Sequence, residues 1–154
     1  MKEFHRILVP LDGSKVSESS LPIAVSLASK YGSEVILLRV LDDPGPSDRA
    51  RHPESLWIRE AQEYHYREVQ TYLDDQVNRL LSQGIHARPL IRDAAPADDI
   101  LHAAGDEHAD LIVMTSHGRG SPSRWTSGSV ADKVSQHSPC PVLLVRSGAE
   151  EGVA

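Results

Sequence analysis

The sequence predicts an α/β fold, a single-domain open twisted five-stranded parallel sheet with helices on both faces. Three features point to it. The 154 residues are about one domain's length. Five short runs are almost continuously apolar, the pattern of strands covered on both faces. Between those runs, apolar residues recur at helical spacing, so strand and helix alternate along the chain.

Arg6 to Val9 is the first run, closed by Pro10, and Asp12-Gly13-Ser14 follows as a turn. Leu21, Ala24, Val25 and Ala28 then mark one face of a helix. Pro22 is tolerated in its first turn, and Gly32 after Tyr31 is placed as a left-handed cap. Glu34 to Leu41 is the second strand. A turn-rich patch, Asp42 to Pro53, leads into a long helix from about Glu54 to Gln83. Its best-patterned half sets Val69, Tyr72, Leu73, Val77, Leu80 and Leu81 on one face, and Gly84 ends it. Ile85 to Ile91 is the third strand; Pro89 inside it favours a sheet edge, because proline cannot donate to a ladder. Pro96 opens a helix carrying Ala97, Ile100, Leu101 and Ala104. Leu111 to Met114 is the fourth strand. A glycine- and serine-rich loop, Ser116 to Ser127, precedes a helix with Val130, Ala131 and Val134. Val142 to Val145 is the fifth strand. Residues 1–146 form the domain, and 147–154 a short acidic tail.

Charge and composition narrow the function classes. Lys plus Arg is 16 against 22 for Asp plus Glu, a net charge of −6 with neutral histidines. That balance argues against nucleic acid or an anionic membrane surface as partner. The N-terminal residues Met1 to Arg6 are too polar for a signal peptide, and no segment reaches the roughly 20 apolar residues of a membrane span. The single cysteine, Cys140, precludes an intrachain disulfide, which fits a reducing compartment. The expectation is a cytoplasmic protein.

In a parallel sheet of this kind, ligands sit beyond the carboxyl ends of the strands, where the strand order reverses. The loop after the fourth strand reads Thr115-Ser116-His117-Gly118-Arg119-Gly120, continuing to Gly128-Ser129-Val130. Between Met114 and Val130 lie three glycines, seven hydroxyl side chains, Arg119 and Arg124. Such a loop can turn backbone N–H groups toward one point, and the helix after it adds free amides and a positive dipole end. Both favour an anion, most often phosphate. A flexible loop with Ser127 or Ser129 as a plain cap is equally consistent with the composition. Two familiar nucleotide fingerprints do not fit. Gly13-Ser14-Lys15 lacks the earlier glycine of a P-loop, and Ser123 stands where a dinucleotide fingerprint needs its third glycine.

At this point the sequence resembles the universal stress protein family, over about residues 4 to 146. The resemblance rests on Val9-Pro10-Leu11-Asp12-Gly13-Ser14, Val40, Ala95-Pro96, Ser116-His117-Gly118-Arg119-Gly120, Gly128-Ser129-Val130-Ala131, and Ser138-Pro139-Cys140-Pro141-Val142-Leu143-Leu144-Val145. The ATP-binding branch of that family shows Gly, two residues, Gly, nine residues, Gly, then Ser or Thr. Here nine residues separate Gly118 from Gly128, and Ser129 follows. The resemblance implies a Rossmann-like, adenine nucleotide alpha hydrolase-like sheet holding ATP, or ADP or AMP, at its carboxyl edge. It implies that Pro10 and Asp12 border the nucleotide, with Asp12 toward the ribose or phosphates. Val40 would offer backbone groups to the adenine, and Gly118, Arg119, Gly128, Ser129 and Val130 would cradle the phosphates, with Mg2+ as a further option. It also implies a homodimer joined through the last strand, Val142, Leu143, Leu144 and Val145. Thr115 departs from the motif, whose first glycine stands there; its side chain would crowd the ribose or hydrogen-bond to it. Thr126-Ser127 replaces the usual apolar pair before Gly128.

Other constellations are weak. Eight histidines form no His-Glu-x-x-His, and His102 and His108, six apart, have a poor spacing for metal ligands. No Gly-x-Ser-x-Gly elbow marks a serine nucleophile. Cys140, between two prolines, reads as a structural thiol. Trp57, Tyr64 and Tyr66 on the long helix read first as packing residues, with a pocket wall or a partner surface as the alternatives. The phosphate loop contains no carboxylate, and Asp12 is the one plausible acid nearby, so binding outranks catalysis. The expected function is an ATP-holding regulatory protein of the stress response. The alternatives are a slow ATP hydrolase, or a nucleotide-free dimerisation module should Thr115 block the site.

Overall fold

A computed structural model describes residues 3–41, 56–116 and 129–146. Along the chain these form β1 (Arg6–Pro10), α1 (Lys15–Glu18), α2 (Leu21–Tyr31), β2 (Glu34–Val40), α3 (Leu56–Ser82), β3 (His86–Arg92), α4 (Pro96–Asp106), β4 (Leu111–Ser116), α5 (Ser129–His137) and β5 (Val142–Arg146). The five strands make one sheet in the order β3-β2-β1-β4-β5, every pairing parallel. The expected fold class is therefore observed.

Two apolar layers hold the sheet, and strand alternation assigns each residue to one of them. Ile7, Val9, Leu11, Val35, Leu37 and Val113 join Ala24 and Ala28 of α2 and Val69, Leu73, Val77 and Leu80 of α3. Leu8, Ile36, Leu38, Ile112 and Met114 join Ile100, Ala103 and Ala104 of α4 and Ala131 and Val134 of α5. Helices α2 and α3 thus cover one face, and α4 and α5 the other. Each fully buried Leu, Ile or Val contributes about 1.5–3 kcal/mol relative to exposure.

Local chemistry explains most boundaries. Gly32 closes α2 at φ 66°, a left-handed conformation that costs glycine nothing. Pro89 pairs with Leu37 in β3, which lies at one edge of the sheet, where a missing donor harms no second neighbour. Pro96 opens α4, and the buried Asp99 carboxylate accepts from the Ala94 amide at 2.7 Å just before it. At the amino edge, Asp110 Oδ2 accepts from the amides of His5 (2.8 Å) and Arg6 (2.9 Å), tying the entry to β1 beside β4.

Three details differ from the sequence reading. Leu81 is half-exposed rather than in the core, because its neighbour Leu80 takes the inward position one helical step away. The fourth strand runs on to Ser116, since Thr115 and Ser116 pair with Val145 and Arg146. The turn after β1 contains a short extra helix, α1, which apolar periodicity does not signal. The start of the long helix, the turn-rich patch and the acidic tail lie outside the described residues.

Candidate functional site

The topology opens one crevice. After β1 the chain turns to α1 and α2 on one face; after β4 it returns through α5 on the other. β1 and β4 are neighbours, so their outgoing connections diverge at the carboxyl edge, and the gap between them is the switch point. β5 is parallel and begins at the amino edge, so α5 runs toward that edge. Its first residues, Ser129 and Val130, therefore stand at the carboxyl edge, with the free amides and positive dipole end of a helix start.

Asp12 sits immediately after β1, only 2% exposed. Its carboxylate is held by its own turn. Oδ1 accepts from the Ser14 amide at 2.8 Å and from the Ser14 hydroxyl. The Asp12 amide donates to Ser17 Oγ at 3.2 Å, and that hydroxyl donates to the Ser14 carbonyl at 2.8 Å. Ser14 is the N-cap of α1, accepting from the Ser17 amide at 3.2 Å. The Ser14 and Ser17 side chains thus fold the backbone tightly around one carboxylate, which is why α1 forms without an apolar stripe.

Sequence reasoning missed Arg39 beneath this turn. It is 5% exposed, on the same sheet face as Val35 and Leu37, and its guanidinium lies 6.0 Å from the centre of the Tyr72 ring. Gly13 roofs it at φ 85°. The available signal was a lone arginine inside an apolar run, one residue before the strand's carboxyl end. Tyr72 is partly buried, and its hydroxyl feels the nearby Glu18 carboxylate while the geometry falls short of a hydrogen bond. Glu18 Oε1 instead accepts from Gln76 Nε2 at 3.1 Å. Burial first, then Glu18, pushes the Tyr72 phenol well above its ordinary value, against an opposing effect of Arg39. A cleft of about 410 Å³ opens here, lined among others by Asp12, Ser14, Arg39, His65, Glu68 and Tyr72.

Thr115 stands near the end of β4, within hydrogen-bond reach of α1. Its hydroxyl donates to the carbonyls of Val16 (3.1 Å) and Ser17 (3.2 Å), so it is engaged by the chain itself. Pro10 is buried, in register with Leu38 of β2. Val40 closes β2 with its side chain in the α4–α5 layer, and the Leu41 amide donates to the Arg92 carbonyl at 2.7 Å. The fold therefore brings Pro10, Asp12, Val40, Thr115, Ser129 and Val130 to one edge of the sheet. Gly118, Arg119 and Gly128 lie outside the described residues, as does His117.

The remaining candidates separate cleanly. Tyr64 and Tyr66 are exposed rather than packed in the core, and Tyr64 borders a shallow groove with Arg67, Thr71 and Asp75; the Trp57 side chain lies outside what is described. Cys140 packs against the α4–α5 layer, and Ser138 Oγ donates to its carbonyl at 2.6 Å while accepting from its amide at 3.2 Å. His108 adopts φ 52° in the turn after α4. Among the described residues, no three His, Cys, Asp or Glu side chains come together as a metal site. No helix among them is long and apolar enough to cross a membrane.

Comparison with known proteins adds to this geometry. The model of the universal stress protein family matches residues 3–146. Universal stress protein YxiE of Bacillus subtilis is 32% identical over 148 residues, covering 93% of this chain and 99% of its own. The structure of universal stress protein UspA from Lactobacillus plantarum superposes with a TM-score of 0.80 at 24% identity, covering 95% of this chain and 100% of that one. A universal stress protein family protein from Arabidopsis thaliana, solved with AMP bound, has a TM-score of 0.63 at 16% identity, over 96% of this chain and 94% of its own. The last two likenesses speak to the fold.

Proposed function

Because this chain belongs to the universal stress protein family, we propose that it is an adenine-nucleotide-binding regulatory protein of the cytoplasmic stress response. It holds ATP in the crevice between β1 and β4, with ADP or AMP as occupants of the same chemistry. The observation that carries this reading is Asp12, a buried carboxylate fixed by Ser14 and Ser17 at the switch point, on the edge where α5 begins at Ser129. In the bound state Pro10 and Asp12 border the nucleotide, Asp12 toward the ribose or the phosphates, and the main chain at Val40 meets the adenine. Gly118, Arg119, Gly128, Ser129 and Val130 cradle the phosphates, where anionic charge suits loop amides and a helix start. The AMP-bound Arabidopsis relative supports an adenine nucleotide as the class of ligand.

The reading is of a holder rather than a turnover enzyme. Asp12, the acid at the switch point, is already committed to its own turn by Ser14, which makes it a poor general base. The protein acts as a homodimer through β5, an edge strand whose Leu143 and Leu144 are 37% and 39% exposed. The decisive experiment is chromatography of nucleotide released from the purified, denatured protein, followed by calorimetric titration with ATP. Stoichiometric adenine nucleotide, or saturable binding with turnover below about one per second, is expected. No binding of ATP, ADP or AMP at millimolar concentration overturns the reading.

A further inference from the structure

We propose that Thr115 is a positioning residue that pins the β1–α1 turn to the end of β4 and so fixes where the Asp12 carboxylate stands. The second half of this proposal, that pinning the turn strengthens nucleotide binding, rests on the function proposed above. The motif of the ATP-binding branch puts glycine at this position, and the obvious reading of a threonine there is an obstacle. The geometry points elsewhere. Thr115 Oγ1 has one hydrogen, shared between the carbonyls of Val16 and Ser17 at 3.1 and 3.2 Å, 99 and 98 residues away in sequence. Its donor capacity is spent on α1, the short helix that follows β1.

A continuous run of hydrogen bonds links this contact to the site. Ser17, whose carbonyl Thr115 meets, accepts the Asp12 amide on its hydroxyl at 3.2 Å and donates to the Ser14 carbonyl at 2.8 Å. Ser14 in turn gives its amide to Asp12 Oδ1 at 2.8 Å. α1 is four residues long, far too short to hold itself by helix propensity. Among the described residues, its ties to the rest of the molecule include Gln76 on Glu18 and Thr115 on Val16 and Ser17. The second tie anchors the turn to β4, a strand bonded on both sides, whose register with β5 runs through Thr115. A glycine there supplies no such anchor. Threonine also suits a strand, because its branched Cβ fits the pleated surface; a purely propensity-based role would be filled equally well by valine.

That difference defines the test. Thr115→Val keeps the branched shape and removes the donor; Thr115→Ser keeps the donor. Amide hydrogen exchange is followed at Asp12 and Ser17 in the full-length, nucleotide-free protein, and ATP affinity is measured on the same preparations. The expected result is exchange roughly tenfold faster at both amides in Thr115→Val, ATP binding weakened by roughly tenfold, and recovery of both in Thr115→Ser. Unchanged exchange in a folded Thr115→Val overturns the pinning role. Faster exchange with unchanged ATP affinity overturns the positioning role and leaves a stability contact. Faster exchange in a protein whose wild type binds no adenine nucleotide supports the pinning and overturns the proposed function instead. Should Thr115→Val not fold, Thr115→Ala carries the same expectations.

Discussion

The guanidinium of Arg39 occupies the space that a side chain on Gly13 would need. A β-carbon on Gly13 would come within 2.8 Å of Arg39 Nη1 and 3.1 Å of its Cζ. Gly13 is at φ 85°, where any L-residue is strained. Two costs therefore add in Gly13→Ala. The backbone alone contributes about 1–2 kcal/mol. The contact adds a smaller term, because the atoms met are the tip of the Arg39 side chain, which borders the cleft and must shift to make room. Urea unfolding should show a loss above that of the backbone term alone. In Arg39→Ala the same glycine substitution should cost less, a coupling a double-mutant cycle reads directly. Strict additivity would leave φ as the whole explanation.

Tyr72 sets an alkaline limit to stability. Its folded pKa is raised above the ordinary 10.0, by burial first and then by Glu18, so the folded protein resists losing the phenol proton. Below pH 10 both states are protonated and this contribution is fully present. As the pH rises past 10 the unfolded chain ionises first, and stability falls by up to about 1.4 kcal/mol per pH unit until the folded phenol also titrates. Tyr72→Phe should flatten that part of the profile in urea titrations between pH 9 and 11. Near neutral pH it should cost little, because the hydroxyl has no hydrogen bond to lose. An identical alkaline slope in the phenylalanine variant would assign the loss to other groups.

What was legible in the sequence was local or periodic. Pro89 announced an edge because a missing donor is a property of the residue itself, and Gly32 a cap because φ 66° is a property of glycine. The switch point followed from alternating strands and helices. Contacts between distant residues were not legible. Arg39 is a single charge inside an apolar strand; its burial depends on Gly13 having no side chain and on Tyr72, 33 positions later, lending a ring face. Helix α1 has four residues and no periodicity, since side-chain hydrogen bonds among Asp12, Ser14 and Ser17 build it. Thr115 read as a substituted glycine, because nothing in the spacing shows where a hydroxyl turns. Leu80 and Leu81 both fit the apolar stripe by spacing, but neighbours one residue apart on a helix face about 100° apart and only one can point at the sheet.

The phosphate loop makes its own prediction. Gly128 lies outside the described residues, directly before Ser129 and the first turn of α5. A phosphate approaching helix-start amides needs the backbone bare at the point of contact. Gly128→Val should therefore weaken ATP at least tenfold, about 1.4 kcal/mol, while leaving the unfolding midpoint near wild type. Calorimetry with unchanged affinity in the folded variant would remove Gly128 from the site.

The edge strand β5 allows the sharpest test of assembly, because its hydrogen bonds have a fixed sense. The Ile112 amide donates to the Pro141 carbonyl at 3.0 Å, and Ile112 is in register with Val142. Main-chain groups alternate in direction along a strand, so Pro141, Leu143 and Val145 turn theirs toward β4. Val142 and Leu144 turn theirs outward, toward the open edge. A second copy pairing along this edge would use the outward set. Leu144→Pro removes one outward donor and leaves the β4 ladder intact, so it should weaken the dimer by roughly tenfold or more with the fold preserved. Leu143→Pro is the informative contrast: it breaks the bond to β4 and should lower stability before it affects association. Light scattering reads the outcome. A wild-type mass near 16.9 kDa at micromolar concentration rejects the dimer. A wild-type mass near twice that value, unchanged in Leu144→Pro, places the interface away from β5.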